Sequence, residues 1–188
     1  MLNVIRLLIF SVAVALLVTA TVRAEVYRNQ EFGITITVPE GAVLCPVPKE
    51  QHDHGPLFLL GTSHLGGCTD SERNRLIVVF AGYNAADVTK KLHDFMKWQC
   101  INIAEDMCGV APSDLRITGL PSEAARVDRP NRWIDIIVVT QAGTPDPSFD
   151  SSVPSINYTL RLHTRAEYLE EDLYTFRIIL NTIRLSPK

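Results

Sequence analysis

His52-Asp53-His54, followed by His64, is the densest set of metal-binding and proton-transferring side chains in this 188-residue sequence. Imidazole nitrogens and a carboxylate are suitable donors for zinc or copper. The set lies between Cys45 and Cys68, so a disulfide joining those two would hold it in place. Histidines at i and i+2 are read here as pointing to opposite sides of an extended segment. Further ligands would then have to come from His64, His93 or a distant acid. The plainer reading weighs more: Asp53 and His54, just before Gly55-Pro56, form a polar turn entering a strand. No cofactor is expected, and a divalent metal at His52, Asp53, His54 and His64 is the one candidate.

Other chemistry finds less support, and no catalytic residue is assigned. There is no Gly-x-Ser-x-Gly elbow, and nothing in the sequence places a serine beside His93 or His163. No Cys-x-x-Cys redox pair occurs among Cys45, Cys68, Cys100 and Cys108. Glu170-Glu171-Asp172 reads as a charge run at a helix start, and Asp128-Arg129-Pro130-Asn131-Arg132 as a solvated hairpin tip. Trp98 and Trp133 read as core or rim packing.

The first 24 residues have the three regions of a cleaved secretory leader. Arg6 precedes an apolar run from Leu7 to Val18, and Val22 and Ala24 sit at −3 and −1 of the expected cut. The run is shorter than the roughly 20 apolar residues of a membrane span. Cleavage leaves residues 25–188 as one domain with no further span, in the periplasm or secreted. Losing Arg6 and Arg23 leaves 16 basic against 21 acidic residues, a net charge of −5. That balance disfavours nucleic acid, which needs a concentrated basic face.

An even cysteine count in an exported chain reads as disulfides. Four cysteines allow three connectivities, and spacing favours Cys45–Cys68 with Cys100–Cys108. Eight positions of unbroken helix would separate the second pair by about 12 Å, too far for a bond. That pairing therefore requires the helix to end soon after Cys100.

The elements that must position these residues follow from periodicity. Phe32 to Val38 alternates as a half-buried strand. Leu57 to Leu60, Leu76 to Phe80, Leu115 to Leu120, Ala124 to Val127, Trp133 to Thr140 and Ile156 to Leu162 read as further strands. Asn84 is expected to cap a helix whose apolar face is Val88, Leu92, Phe95, Met96 and Cys100. Thr164-Arg165-Ala166-Glu167 reads as a capping box opening a last helix, with Leu169, Leu173, Phe176, Leu180 and Ile183 on one face. The whole is α+β: a mostly antiparallel sheet covered by two main helices.

Three stretches carry a family likeness. They are Tyr27, Asn29 and Phe32-Gly33-Ile34-Thr35-Ile36-Thr37-Val38-Pro39; Ile117-Thr118-Gly119-Leu120-Pro121 leading to Ala125-Arg126; and the helix from Phe176 through Thr182-Ile183. With these the chain resembles the family that includes photosystem II PsbP proteins and Mog1-type domains, as an exported bacterial branch. The resemblance implies an α-β-α sandwich and a non-catalytic binding or accessory role. The expectation is an exported protein that binds another protein, as an accessory or toxin-neutralising module. Loops 46–56, 62–72 and 142–154 are expected to carry the contact surface. The alternative is a metal- or small-ligand-binding protein, or a hydrolase, using the His52–His64 region.

Overall fold

The alternation after Phe32 produces a hairpin. In the computed structural model, which describes residues 25–48, 51–61, 68, 75–84, 91–101, 108–143 and 154–186, β1 (Val26–Asn29) pairs antiparallel with β2 (Ile34–Thr37). The Asn29 side chain accepts the Phe32 N–H at 3.0 Å across the turn. Gly33 takes φ 64°, which a residue without Cβ adopts at little cost. Ile34 and Ile36 are buried, and β10 (Arg184–Leu185) adds to the free edge of β2. The leader and His64 lie outside the described residues.

A larger antiparallel sheet forms the centre. It runs in the order β3 (Ala42–Leu44), β4 (Leu57–Leu60), β5 (Leu76–Tyr83), β9 (Ile156–Arg165), β8 (Trp133–Ala142), β7 (Glu123–Asp128), β6 (Cys108–Val110). β3, β6 and β10 are short edge strands with no clear alternation in sequence. The expected strand at Leu115–Leu120 does not form. Leu115 and Ile117 are buried, but Ile117 N–H goes to the Ser122 hydroxyl and Thr118 N–H to the Leu180 carbonyl. These donors are spent on a turn and a helix end rather than on a ladder.

The two faces of this sheet are covered differently. On the first, Phe58, Ile77, Val79, Ile134, Ile136, Val138, Leu160 and Leu162 meet β2 and helix α2 (Leu169–Thr182) in one apolar core. On the second, α1 (Leu92–Ile101) sets Phe95, Met96 and Cys100 on Ala125, Val127, Ile137 and Val139. At the opposite end of that face, Cys45 packs with Leu59 and Leu76. The structure is thus an α+β sandwich with helices on both faces of an antiparallel sheet. No helix among the described residues is long and apolar enough to cross a membrane.

Both disulfides take the connectivity that spacing favours. Cys45 bonds Cys68 with Cα atoms 5.7 Å apart, and Cys100 bonds Cys108 at 6.0 Å. The helix ends at Ile101, as the second bond requires. The Asn84 side chain donates to the Pro154 carbonyl at 3.0 Å and accepts from Asn157 at 3.2 Å. The residues it was expected to cap, from Asp87 to Val88, lie outside the described ones.

The expected capping box is replaced by a buried ion pair. β9 continues through Arg165, so Thr164 is a buried strand residue, and a single 3-10 turn (Ala166–Tyr168) leads into α2. Thr164 donates its hydroxyl to Asp172. Asp172, read in sequence as part of a charge run at a helix start, is 1% exposed and receives Arg75 Nε at 2.8 Å and a second guanidinium nitrogen at 2.5 Å. The same guanidinium lies 4.0 Å above the Tyr168 ring. A forked guanidinium on a carboxylate is among the stronger polar contacts, and this one ties the start of β5 to the first turn of α2.

Removing one partner of such a pair strands the other charge. Asp172→Ala is expected to lower the unfolding free energy by about 3 kcal/mol in urea denaturation. A loss below about 0.5 kcal/mol, the range of an ordinary surface change, would show that the pair carries no stability.

Candidate functional site

Side chains on the second face line up in rows across the sheet, because paired residues share a side. One row runs Leu59, Leu76, His163, Asp135, Val127 through successive strand pairings. The next runs Leu57, Val78, Arg161, Ile137, Ala125. Each is apolar at both ends, under the Cys45 cluster and under α1. Polar residues occupy the middle.

Asp135 is the centre of that middle and is 0% exposed. Its carboxylate accepts His163 Nδ1 at 2.6 Å, Arg161 Nη2 at 2.9 Å and Arg129 Nε. Burial pushes its pKa up, but the His163 bond, the Arg161 and His163 charges and the Arg129 bond outweigh this. The net shift is downward from the ordinary aspartate value. Because His163 presents Nδ1 to a carboxylate, Nδ1 carries the proton.

Arg129 reaches this carboxylate from the β7–β8 turn. Pro130–Arg132 forms a 3-10 turn in which Asn131 takes φ 58° and Arg132 φ 62°. The segment was expected to be a solvated tip. Its first arginine instead folds back, because a buried carboxylate draws any cation within reach. Trp133, at the start of β8, stacks on the His163 ring at 4.4 Å and 7°, and the Arg165 guanidinium lies 4.9 Å from its centroid. Trp133 thus packs at a rim. Trp98 is 48% exposed on α1 and stacks on Phe95 with centroids 6.4 Å apart.

These residues border an open groove of about 580 Å³ lined by Leu57, Leu76, Val78, Trp133, Arg129 and Arg161, with Pro130 and His163 completing it. That volume is in the range of small-molecule sites. Two buried polar atoms on this face, Thr159 Oγ1 and Arg161 Nε, have no hydrogen-bond partner among the described residues. A second hollow of about 630 Å³ lies between residues 114–120 and α2. It is lined by Arg116 and by Arg177, which is paired with exposed Asp114 at 2.8 Å.

The histidine segment runs beside the second half of β5, its rings against Phe32. Residues 54–56 extend the pairing beside β5: Val79 N–H donates to the Pro56 carbonyl and Ala81 N–H to that of His54. Gly55 is required here, since a Cβ would fall 2.2 Å from the Val79 oxygen. Asp53 behaves as the turn reading expects, accepting Gly55 N–H at 3.0 Å and the Tyr27 hydroxyl at 2.6 Å. His52 and His54 do not diverge. Their centroids are 4.8 Å apart, because alternation in an extended segment returns i and i+2 to one side. His54 Nδ1 is 2.9 Å from the Ala81 carbonyl, and His52 Nε2 is 3.1 Å from Glu31. Among the described residues, no three His, Cys, Asp or Glu side chains are grouped to hold a metal. His64 lies outside them. His93 is an exposed flank residue, 3.1 Å from Glu123.

No family model matches the chain, and no curated protein matches it. Among solved structures it is similar to a cyanobacterial PsbP. The solution structure of CyanoP from Synechocystis sp. PCC 6803 aligns at 13% identity with a TM-score of 0.49, covering 89% of this chain and 96% of that one. The likeness is one of fold, and no residue role, ligand or partner is taken from it.

Sequence reasoning did not find Asp135. Its signal was a single acid inside the apolar run Trp133-Ile134-Asp135-Ile136-Ile137, opposite His163 once the register is known. A carboxyl whose pKa is lowered by folding stabilises the fold fully above the ordinary aspartate value of about 3.9. That contribution is lost as pH falls through the lower folded value. The stability gap between the protein and Asp135→Asn should therefore be constant above pH 4 and shrink below it, read by urea unfolding from pH 7 to 2.5. A gap unchanged to pH 2.5 would mean that the Asp135 charge is not stabilised by its partners.

Proposed function

We propose that the protein is an exported, non-enzymatic binding protein that works by contacting another protein, as an accessory or toxin-neutralising module. A leader-like N-terminus and two disulfides support an oxidising compartment, the periplasm or the medium. The observation that carries the binding reading is an ordered aromatic patch. Phe80 and Tyr83 are 48% and 64% exposed at the end of β5. His54 stacks on Phe80 at 4.8 Å, His52 meets His54 edge-on, and Tyr83 packs on Phe32 at 5.4 Å. Glu31 accepts the Tyr83 hydroxyl at 3.0 Å. Exposed aromatic side chains already held in one conformation are favourable anchors, since little freedom is lost on association.

The patch adjoins residues 51–56, part of one expected contact loop. Most of the other two, 62–72 and 142–154, lies outside the described residues. The Asp135–His163 pair also supports a non-catalytic role. Two guanidiniums already outweigh the single carboxylate charge, leaving little of it to stabilise an imidazolium during proton transfer.

The test is cross-linked capture from the periplasmic fraction, comparing the protein with Phe80→Ser/Tyr83→Ser. A partner recovered by the first and reduced at least about 10-fold with the second is expected for loss of interface anchors. Equal recovery, or none, would reject the reading.

The convergence of the His52 and His54 rings, 4.8 Å apart, favours a second reading, a divalent metal held there through His54 Nε2 and His52. Calorimetric titration with zinc and copper is expected to show one site that His54→Ala abolishes. No heat of binding would remove it.

A further inference from the structure

The groove beside Asp135 contains more cationic donor capacity than its carboxylate uses. Arg129 and Arg161 together bring ten N–H donors, and Asp135 engages one nitrogen of each. Arg161 Nε is buried with no partner among the described residues. Two guanidiniums face one carboxylate, an excess of one positive charge. The nearby Arg165 is offset by Glu167 at 3.8 Å. The remainder of the lining is apolar: Leu57, Leu76, Val78 and the Trp133 ring.

We infer that this groove binds a small organic carboxylate, its anionic group on the Arg129–Arg161 pair and its apolar body over Leu57, Val78 and Trp133. A planar guanidinium presents paired donors that match both oxygens of a carboxylate. One anionic group matches the excess of one charge, and both arginines are about a third exposed, at 32% and 36%. The floor is preorganised, because Asp135 and the Trp133–His163 stack fix both guanidiniums and the ring before ligand arrives. The apolar strip gives the same molecule a place to bury its hydrocarbon. A bare inorganic anion would leave that strip wet. This site is separate from the aromatic patch and does not depend on the protein-partner reading.

Calorimetric titration of the purified protein with octanoate, its neutral isostere octanamide, and inorganic phosphate tests the inference. Octanoate is expected to bind at least 10-fold more tightly than either of the others and to change Trp133 fluorescence. Arg129→Gln removes one of the cations on Asp135 and is expected to lower the melting temperature. At a temperature where circular dichroism shows it folded, it is expected to bind octanoate at least 10-fold more weakly. Arg129→Lys, which keeps a cation on Asp135 but loses the paired donors, is expected to weaken octanoate with a smaller loss of stability. Val78→Ser is expected to weaken octanoate without affecting phosphate. Equal binding of octanamide would overturn the cationic subsite, and equal binding of phosphate would overturn the apolar one. Octanoate affinity unchanged in Arg129→Gln would place any binding elsewhere and overturn the proposal.

Discussion

A carboxylate in the middle of a sheet face, shut from water, dictates what surrounds it. Asp135 is 0% exposed, and leaving such a charge unpaired costs several kcal/mol. Its strand pairing supplies His163 directly opposite, and the neighbouring row supplies Arg161. A third partner comes from outside the ladder, Arg129, which reaches back from the β7–β8 turn. Trp133 then covers the His163 ring as a flat lid. One buried charge thus fixes a turn, an aromatic stack and the orientation of two guanidiniums.

Asp172 plays the corresponding part on the other side of the fold. It too is buried, holds an arginine by two nitrogens and receives a threonine hydroxyl. The two sites differ in what lies beyond them. Arg75 is closed in by Tyr168 and keeps only 14% of its side chain exposed. Arg129 and Arg161 border an open groove. A closed pair of this kind fixes an element in place, whereas an open one leaves donors for a ligand.

The sequence was most legible where periodicity and burial coincide. Leu57–Leu60 forms a strand over the expected residues, and the alternating run from Ile156 and the apolar run from Trp133 become the two central strands. The last helix buries Leu173, Phe176 and Leu180 as its spacing implies. Legibility failed where a residue's partner is far along the chain. Thr164 matched a local capping pattern, yet its partner Asp172 is set by β9 continuing three residues further than the alternation showed. Asp172 and Glu170 look alike in a charge run, and only the arrival of Arg75 from 97 residues away separates them. Leu115–Leu120 is apolar enough for a strand, but whether a ladder partner is available is a property of the tertiary fold. His52 and His54 obey the same two-residue repeat as the strands, which returns both rings to one side.

The unequal covering of the two sheet faces connects these observations to binding. The first face is closed by α2 and the small sheet, and its cross-strand rows are apolar in the centre. Among the described residues, the second is covered at its ends, by α1 and by the Cys45 cluster. An apolar centre there would leave a wet hydrophobic strip flanked by dry ones, a surface prone to nonspecific association. Filling it with Asp135, His163 and Arg161 makes the strip compatible with water and holds it rigid. The same substitution turns this part of the sheet into a shaped, charged groove, so the polar row that keeps this face from sticking to itself also sets the chemistry of its surface.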